Sequence, residues 1–503
     1  MASEATPAPP VPRDAREGLD ESLDIGGAVA IGIRWKAITQ VVSEGSRIVV
    51  ALILARLLTP GDYGVAGMAM VCVSFASLFT DPALGTALVQ RRRITEEDRS
   101  TVFWTTCIVG AFVALIGVAV SGYVADLFGQ HQVKSLFMVL SVGLFLSGFS
   151  VTQLALLTRE LAYRSIEIRE IAATLIAAAC AISVAFAGFG PWAIITNWLV
   201  FTAASSALVW FLTPWRPVFT FSRRSLTDLG SFGVKVFGAR VLTWGNSNMD
   251  NVLIGRFLGA APLGAYALAY NVMYVPITRI SVPLMSVLSP AYARMQHDHD
   301  RLLSTWLRSK STITALLGPA FAAVIVLAPD LVPVAFGSKW HAAVVPVQLL
   351  SLAGLAQTVV ALHWSILTAL DRPGTLFRIN LLVTAMTIAA FAAGLPFGIV
   401  GVAGFYAGAR WLLVLIDTAL TTRAVSYPFW QSLRAGLDSL PFAVAAGAAG
   451  FGVRLLLVDA QVPQVARLFV VGAVILGSYL MLLYLASPRT LAELKGVLRQ
   501  HAA

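Results

Sequence analysis

Charge is scarce in this chain. Asp, Glu, Lys and Arg make up 12% of its 503 residues, about half the share of an average globular protein. The three or four soluble domains that the length alone would allow need more surface charge than this and are excluded. Three cysteines in so long a chain exclude a secreted disulfide scaffold. Cys72, Cys107 and Cys180 fall in separate apolar runs without metal-ligand spacing and read as small core residues. The chain has no Gly-x-x-x-x-Gly-Lys-Ser/Thr loop for ATP phosphates, no Cys/His cluster and no Gly-x-Ser-x-Gly elbow. No metal, cofactor or catalytic residue is therefore expected.

What is abundant is apolar. Hydrophobic residues are 57% of the chain, and mean hydropathy is +0.78. About 14 spans of roughly 20 residues would use about 280 residues, which matches the apolar total. The expected fold is an all-α polytopic membrane protein. Spans are predicted near 29–54, 64–84, 102–124, 134–157, 171–188, 190–212, 232–258, 264–289, 311–336, 343–369, 376–397, 399–420, 437–457 and 465–486. Residues 1–27 are Pro/Ala-rich and then acidic. They read as a disordered tail and lack the pattern of a signal peptide. The net charge of +10 would suggest nucleic acid in a soluble protein. Here basic loops account for it, and no nucleic-acid partner is expected.

Loop charge orients the chain. One set of loops holds Arg91 to Arg93, Arg99, Arg159, Arg164, Arg169, Arg216, Arg223, Arg224, Arg294, Arg301, Arg308, Lys310, Arg372, Arg378, Arg423, Arg434, Arg489, Lys495 and Arg499. The other holds Arg56, Lys134, Arg256, Lys339 and Arg467. The rich set belongs in the cytoplasm. With an even number of spans, both termini are then cytoplasmic, in a multi-pass membrane protein.

An internal repeat runs at an offset of 200. The segment from Arg56 to Gly64 (RLLTPGDYG) matches that from Arg256 to Gly264 (RFLGAAPLG), and Gln40, Ser43 and Arg47 correspond to Arg240, Thr243 and Ser247. Six spans separate the copies, so they are parallel repeats. The expected organisation is a tail at 1–27, a six-helix bundle at 28–213 and a cytoplasmic linker at 214–230. A second six-helix bundle follows at 231–422, with an added helix pair and tail at 423–503.

The polar residues inside the spans carry the chemistry. Lys36, Gln40, Ser43, Glu44 and Arg47 share one face of the first span. The seventh repeats the pattern with Lys235, Arg240, Thr243, Ser247 and Asp250. Arg279 lies in the eighth, and Arg410 and Asp417 share a face of the twelfth. Five basic residues facing lipid would cost roughly 15 kcal/mol, so they pair or line a wet cavity. Pairing would join Glu44 to Arg47, Asp250 to Arg240 or Arg256, and Asp417 to Arg410. It leaves a surplus of positive charge, which needs an anion. His363 reads as a hydrogen-bonded core histidine before a proton site, and Asp81-Pro82 as a helix break. Trp192, Tyr123, Trp340 and Trp430 read as interface anchors. The segment from Arg159 to Glu170 reads as an amphipathic stretch on the inner surface.

Several blocks resemble a known family. They include RLLTPGDYG at Arg56–Gly64, DPALGTALVQ at Asp81–Gln90, Val102-Phe-Trp104 and LTRELAY at Leu157–Tyr163. DNVLIGR at Asp250–Arg256 and Leu263-Gly-Ala-Tyr266 add to them. Together they resemble Wzx-type flippases, in the polysaccharide-exporter branch of the multidrug/oligosaccharidyl-lipid/polysaccharide superfamily, nearest the colanic-acid and teichuronic-acid exporters. The resemblance covers about residues 28–425. It implies two six-helix bundles around a central cavity and the transfer of undecaprenyl-diphosphate-linked glycans between leaflets, for exopolysaccharide or lipopolysaccharide biosynthesis. A glycan polymerase and glycosyltransferases would be partners.

On this reading Arg47, Arg240 and Arg279 bind diphosphate, with Lys235 and Arg410 behind them. Glu44, Asp250 and Asp417 are charge partners or ion-coupling groups. Arg suits phosphate through its bidentate fork. A cation-coupled drug exporter of the same fold would call for an acidic, aromatic cavity. A membrane polymerase or ligase would need a long outer loop. A non-catalytic scaffold of a glycan-synthesis complex would need the charges only to pair.

Overall fold

The computed structural model describes residues 25–80, 84–91 and 93–487, without the side chains of 25–34, 37, 224, 228–236 and 239. Most of the expected tail, Asp81-Pro82, Arg92, and Arg489, Lys495 and Arg499 lie outside the described residues. So does the side chain of Lys235.

Every regular element among the described residues is helical. The first group is α1 (Ile25–Leu57), α2 (Pro60–Thr80), α3 (Leu84–Gln90), α4 (Glu96–Phe128), α5 (His131–Gly148), α6 (Val151–Arg159), α7 (Tyr163–Phe186) and α8 (Trp192–Leu212). An extended stretch leads to α9 (Arg223–Phe257) and α10 (Ala260–Pro276). A π-helical turn (Ile277–Ser281) then joins α11 (Val282–Arg294), followed by α12 (His299–Phe336), α13 (Val344–Val360), α14 (His363–Ala369), α15 (Pro373–Gly394) and α16 (Gly398–Ala424). Last come α17 (Phe429–Leu437), α18 (Leu440–Asp459) and α19 (Gln464–Ala486).

Eleven helical runs are long and apolar enough to cross a membrane, or twelve if α5 and α6, bent by 40°, form one span. The expectation was about 14. One source of the difference is the apolar run Pro373–Ala424. It counts once by composition, yet α15 and α16 fold back on one another at a 3-10 turn, Leu395–Phe397. Gly398 makes that turn at φ +69°, a conformation open to glycine at little cost. The other is α9, which is too polar to count by the same measure.

Sequence chemistry sets the helix ends. Thr95 and Asp98 form a reciprocal capping box that starts α4, and Gly129 ends it in the left-handed region at φ +62°. Ser222 caps α9 by accepting from the Ser225 N–H at 3.3 Å, so the helix begins inside the stretch expected as a linker.

Two sets of helices pack around one continuous core. In the first, α1 lies on α7, α7 on α8, and α5 on both α2 and α4; in the second, α13 lies on α12 and α16, and α15 on α9 and α16. The repeat halves meet where α2 crosses α10. A Cβ on Gly64 would fall 1.7 Å from the Ala260 carbonyl oxygen, and one on Gly264 1.9 Å from that of Pro60. These reciprocal contacts are the 200-residue repeat seen in space, and only glycine lets the backbones approach so closely.

Side chains seal one end of the interface. The Trp340 indole donates to the Ala55 carbonyl at 2.8 Å, Lys339 to that of Arg56 at 2.8 Å, and Arg56 Nε to that of Ala335 at 3.2 Å. Each satisfies a carbonyl at a helix end, where the helix itself leaves none paired. The added pair, α18 and α19, is held to α12 by Asp330. This carboxylate is 1% exposed and bonds Arg454 at 2.6 Å and Arg467 at 2.7 Å.

Two loop assignments need correction. Lys310 is buried in α12. The stretch from Tyr163 to Glu170 opens α7, with Glu167 and Arg169 buried, so it is not an exposed surface segment. Ion-pair partners allow this burial: Lys36 of α1 reaches Glu167 at 3.3 Å, and Glu170 lies 3.6 Å from Arg169.

Candidate functional site

Two adjoining cavities lie beside α1, of about 600 and 580 Å³. Arg47, Ala51, Tyr63 and Asn271 line both. Glu44, Tyr274 and Arg279 line the first, and Asn197 and Trp198 the second. Helical spacing puts Gln40, Glu44, Arg47 and Ala51 on one stripe of α1. From the other repeat half, α10 and its π turn bring Asn271, Tyr274 and Arg279.

The charges form one alternating chain. Arg279 bonds Glu44 across the repeat halves. Glu44 also bonds Arg47 at 3.2 Å, one helical turn away. Arg47 bonds Glu170 of α7 at 3.2 Å, and Glu170 bonds Arg169 at 3.6 Å. Three guanidinium groups face two carboxylates, so the chain carries one surplus positive charge beside the cavity. Arg47 is half exposed and Arg279 one-third exposed, so a ligand can reach both. Arg279 stands in the π turn between Pro276 and Pro283. Such a turn widens the helix locally and recurs at functional sites.

Arg240 faces a different cavity, of about 630 Å³, between α2 and α9. Ser77, Thr80, Thr243, Trp244, Ser247 and Asn248 also line it. The Trp244 indole donates to Ser74 Oγ at 2.9 Å, and its ring packs on Phe75 at 4.8 Å between centroids.

Asp250 is 2% exposed and accepts from the Asn251 N–H at 2.8 Å. Arg410 lies 5.0 Å from the centre of the Tyr406 ring. No ion pair joins Arg410 to Asp417 among the described residues. Asp417 instead bonds His363 at 3.0 Å and accepts from Thr421 at 3.1 Å. Helical spacing places Arg410 and Asp417 on one face, but seven residues set them about 10 Å apart along the axis; Asp417 bonds His363 of α14, and Arg410 packs over the Tyr406 ring one turn before it.

Sequence reasoning missed Asn271 and Tyr274 at the cavity, Glu170 as the second carboxylate of the charge chain, and Lys310 as a buried charge. Glu170 is adjacent to Arg169, which gave it a local partner and hid the distant one. Asn271 lies one turn before Tyr274 on an otherwise apolar helix, a signal that could have found it. No group of three or more potential metal-ligating side chains occurs among the described residues.

Comparisons with known proteins bear on the family and the fold. A family model described as "Polysaccharide biosynthesis protein" matches residues 53–345. The chain is 28% identical over 367 residues to the lipopolysaccharide biosynthesis protein WzxC of Escherichia coli K12, covering 72% of this chain and 74% of that one. It is 24% identical over 479 residues to the teichuronic acid biosynthesis protein TuaB of Bacillus subtilis 168, covering 92% and 96%. Among solved structures, the lipid II flippase MurJ in an inward closed conformation superposes with a TM-score of 0.67 at 14% identity, covering 88% of this chain and 98% of that one. That likeness is one of fold.

Proposed function

The chain belongs to the polysaccharide biosynthesis protein family, and on that premise we propose that it is a flippase for a polyprenyl-diphosphate-linked oligosaccharide, with undecaprenyl as the lipid. The observation that carries the reading is the cavity with Arg47 and Arg279 on opposite repeat halves and Glu44 between them.

A diphosphate cannot cross hydrocarbon bare. Two guanidinium forks replace its water, each through charge-assisted, bidentate hydrogen bonds. In this structure Glu44 holds both arginines. The diphosphate takes the place of the carboxylate, which removes the strut between α1 and the π turn and lets the halves rearrange. The glycan lies toward the cavity of Arg240, where hydroxyls, an amide and the Trp244 ring suit sugar. Lys235 and Arg410 add positive potential along α9 and α16, and Asp250 steadies Arg410. The lipid tail stays in the bilayer.

The halves at 28–213 and 231–422 rock about the α2–α10 crossing, and the pair at 423–503 rides on the second. The arginine-rich loops face the cytoplasm of a bacterial inner membrane, with both termini on that side. The protein is a transporter, not an enzyme. Glycosyltransferases supply its substrate and a polymerase consumes it.

The scaffold reading draws on the same ion pairs, since Glu44 and Glu170 already neutralise much of the charge. Transport by purified protein separates the two. Full-length protein goes into phosphatidylethanolamine/phosphatidylglycerol vesicles with undecaprenyl-diphosphate-linked N-acetylglucosamine labelled on the sugar. An impermeant quencher reads leaflet transfer. Protein-dependent transfer, lost in the Arg47→Ala, Arg279→Ala double variant at normal thermal stability, is expected. Equal transfer by the wild type and that variant would refute the assignment.

A further inference from the structure

Away from the cavity, α12, α14, α16 and α17 enclose a chain of ionisable side chains. Lys310 Nζ lies 3.2 Å from His363 Nε2, and His363 Nδ1 lies 3.0 Å from Asp417 Oδ1. All three residues are at least nine-tenths buried. Lys310 Nζ also donates to the Ser432 carbonyl at 3.0 Å and to its hydroxyl at 3.3 Å, and Trp306 packs against both Lys310 and His363. His363 is the first residue of α14, just after the break that separates it from α13. Discontinuous helices of this kind hold ion sites in transporters, and chains of ionisable residues within a membrane mark proton paths.

We propose that Lys310, His363 and Asp417 form a proton-exchange site that couples transport to a pH gradient, one proton per cycle. The inference rests on the flippase reading for the transport it couples.

The geometry sets the proton positions. With Asp417 ionised, His363 donates through Nδ1–H and accepts at Nε2 from the Lys310 ammonium. Each of the three ammonium protons then has an acceptor. Two concerted transfers, Lys310 Nζ–H to His363 Nε2 and His363 Nδ1–H to Asp417 Oδ1, give a neutral amine, the other histidine tautomer and a carboxylic acid. Net charge is zero before and after these two transfers, so moving the proton along the chain creates no unpaired ion in a low-dielectric site, where one is costly. Asp417 then gives its proton to water as Lys310 takes up the next, which keeps the net charge at zero, and the imidazole, left with its proton on Nε2, turns over to present an N–H to Asp417 again before the following transfer. A cavity of about 540 Å³ between α16 and α17 has Thr422 in its lining. Thr422 is adjacent to Thr421, which bonds Asp417, and Asp417 is the most exposed of the three ionisable residues at 9%, so the proposal puts the water end of the chain there.

Few other charges bear on the chain. α13 has no ionisable residue, and α14 has none besides His363. On α16, Arg410 is two turns away and Arg423 is exposed. Arg294 of α11 and Arg378 of α15 are exposed. On α17, Arg434 and Asp438 pair at 3.6 Å on the outer face.

The test uses the vesicles and the labelled probe described above, under an imposed pH difference. One coupled proton shifts the final leaflet ratio of the probe about tenfold per pH unit. The wild type is expected to show that shift. His363→Gln keeps a donor toward Asp417 and an acceptor toward Lys310 but cannot pass the proton. It should equilibrate the probe with a ratio that ignores the gradient. The Lys310→Met, Asp417→Asn double variant, which strands no charge, should do the same. A tenfold shift retained in both variants overturns the proposal. So does a wild-type ratio that ignores the gradient while the probe still crosses, and in that case the flippase reading stands. Loss of all transfer in both variants at normal abundance assigns the chain a structural role and also overturns it. If the probe does not cross in wild-type vesicles at all, the flippase reading falls and this inference with it.

Discussion

Replacing Glu44 and replacing Arg279 should move diphosphate affinity in opposite directions. If Glu44 competes with the ligand, binding must first break its bonds to Arg47 and Arg279. Both pairs are partly exposed, so each is worth about 0.2–1 kcal/mol after solvent screening. Glu44→Gln removes both, and binding should tighten by roughly 0.4–2 kcal/mol, or about 2- to 30-fold. Arg279→Ala loses a charge-assisted contact of roughly 1.5–3 kcal/mol. It also spares one pair that no longer needs breaking. The net loss is roughly 0.5–2.8 kcal/mol, or about 2- to 100-fold weaker binding. The assay is titration of the purified full-length protein with farnesyl diphosphate, followed by calorimetry, with thermal unfolding measured on each variant. The double variant completes a cycle, and a coupling term is expected because the residues touch. Weaker binding by Glu44→Gln at unchanged stability would refute the competition and make Glu44 a residue that positions the arginines for the ligand.

Four further outcomes are expected. Asp330→Ala leaves Arg454 and Arg467 partly buried without their carboxylate, and should cost about 3–5 kcal/mol, read as a large fall in thermal stability in detergent. Adding Arg454→Met and Arg467→Met should recover much of that loss. Gly264→Val forces α10 off the Pro60 carbonyl and should abolish folded protein in the membrane, whereas Gly61→Ala, whose new Cβ meets only Thr59 Oγ1 at 3.6 Å, should be accepted; equal abundance of the two would contradict the α2–α10 packing. Cysteine in place of Arg301 should react with an impermeant thiol reagent only from the cytoplasm, and in place of Lys339 only from outside, so labelling of both from one side would reverse the orientation argument. Purified protein should hydrolyse no ATP in a phosphate-release assay, with or without the labelled lipid.

The Gly64 and Gly264 blocks show how far the chain alone could be read. Their offset made the repeat legible, because a close backbone crossing demands glycine at the same place in each half. The polar stripe of α1 was equally legible, since helical period alone puts Glu44 and Arg47 on one face. Depth in the membrane, loop charge and helical class follow from local properties: apolar run length, cap residues and the count of arginines between runs. Partner choice does not. Arg279 meets Glu44 from 235 residues away, and Lys310 and Asp417 meet through a histidine 53 and 54 residues from each. Nothing in a linear pattern ranks such a partner above a nearer one. Arg410 and Asp417 looked like a pair for that reason, and Lys310 looked like a loop charge. Which lysine is buried, which arginines share a cavity and which carboxylate stands between them depend on how helices from distant parts of the chain cross, and side-chain reach over a few ångströms across those crossings is what only the tertiary structure decided.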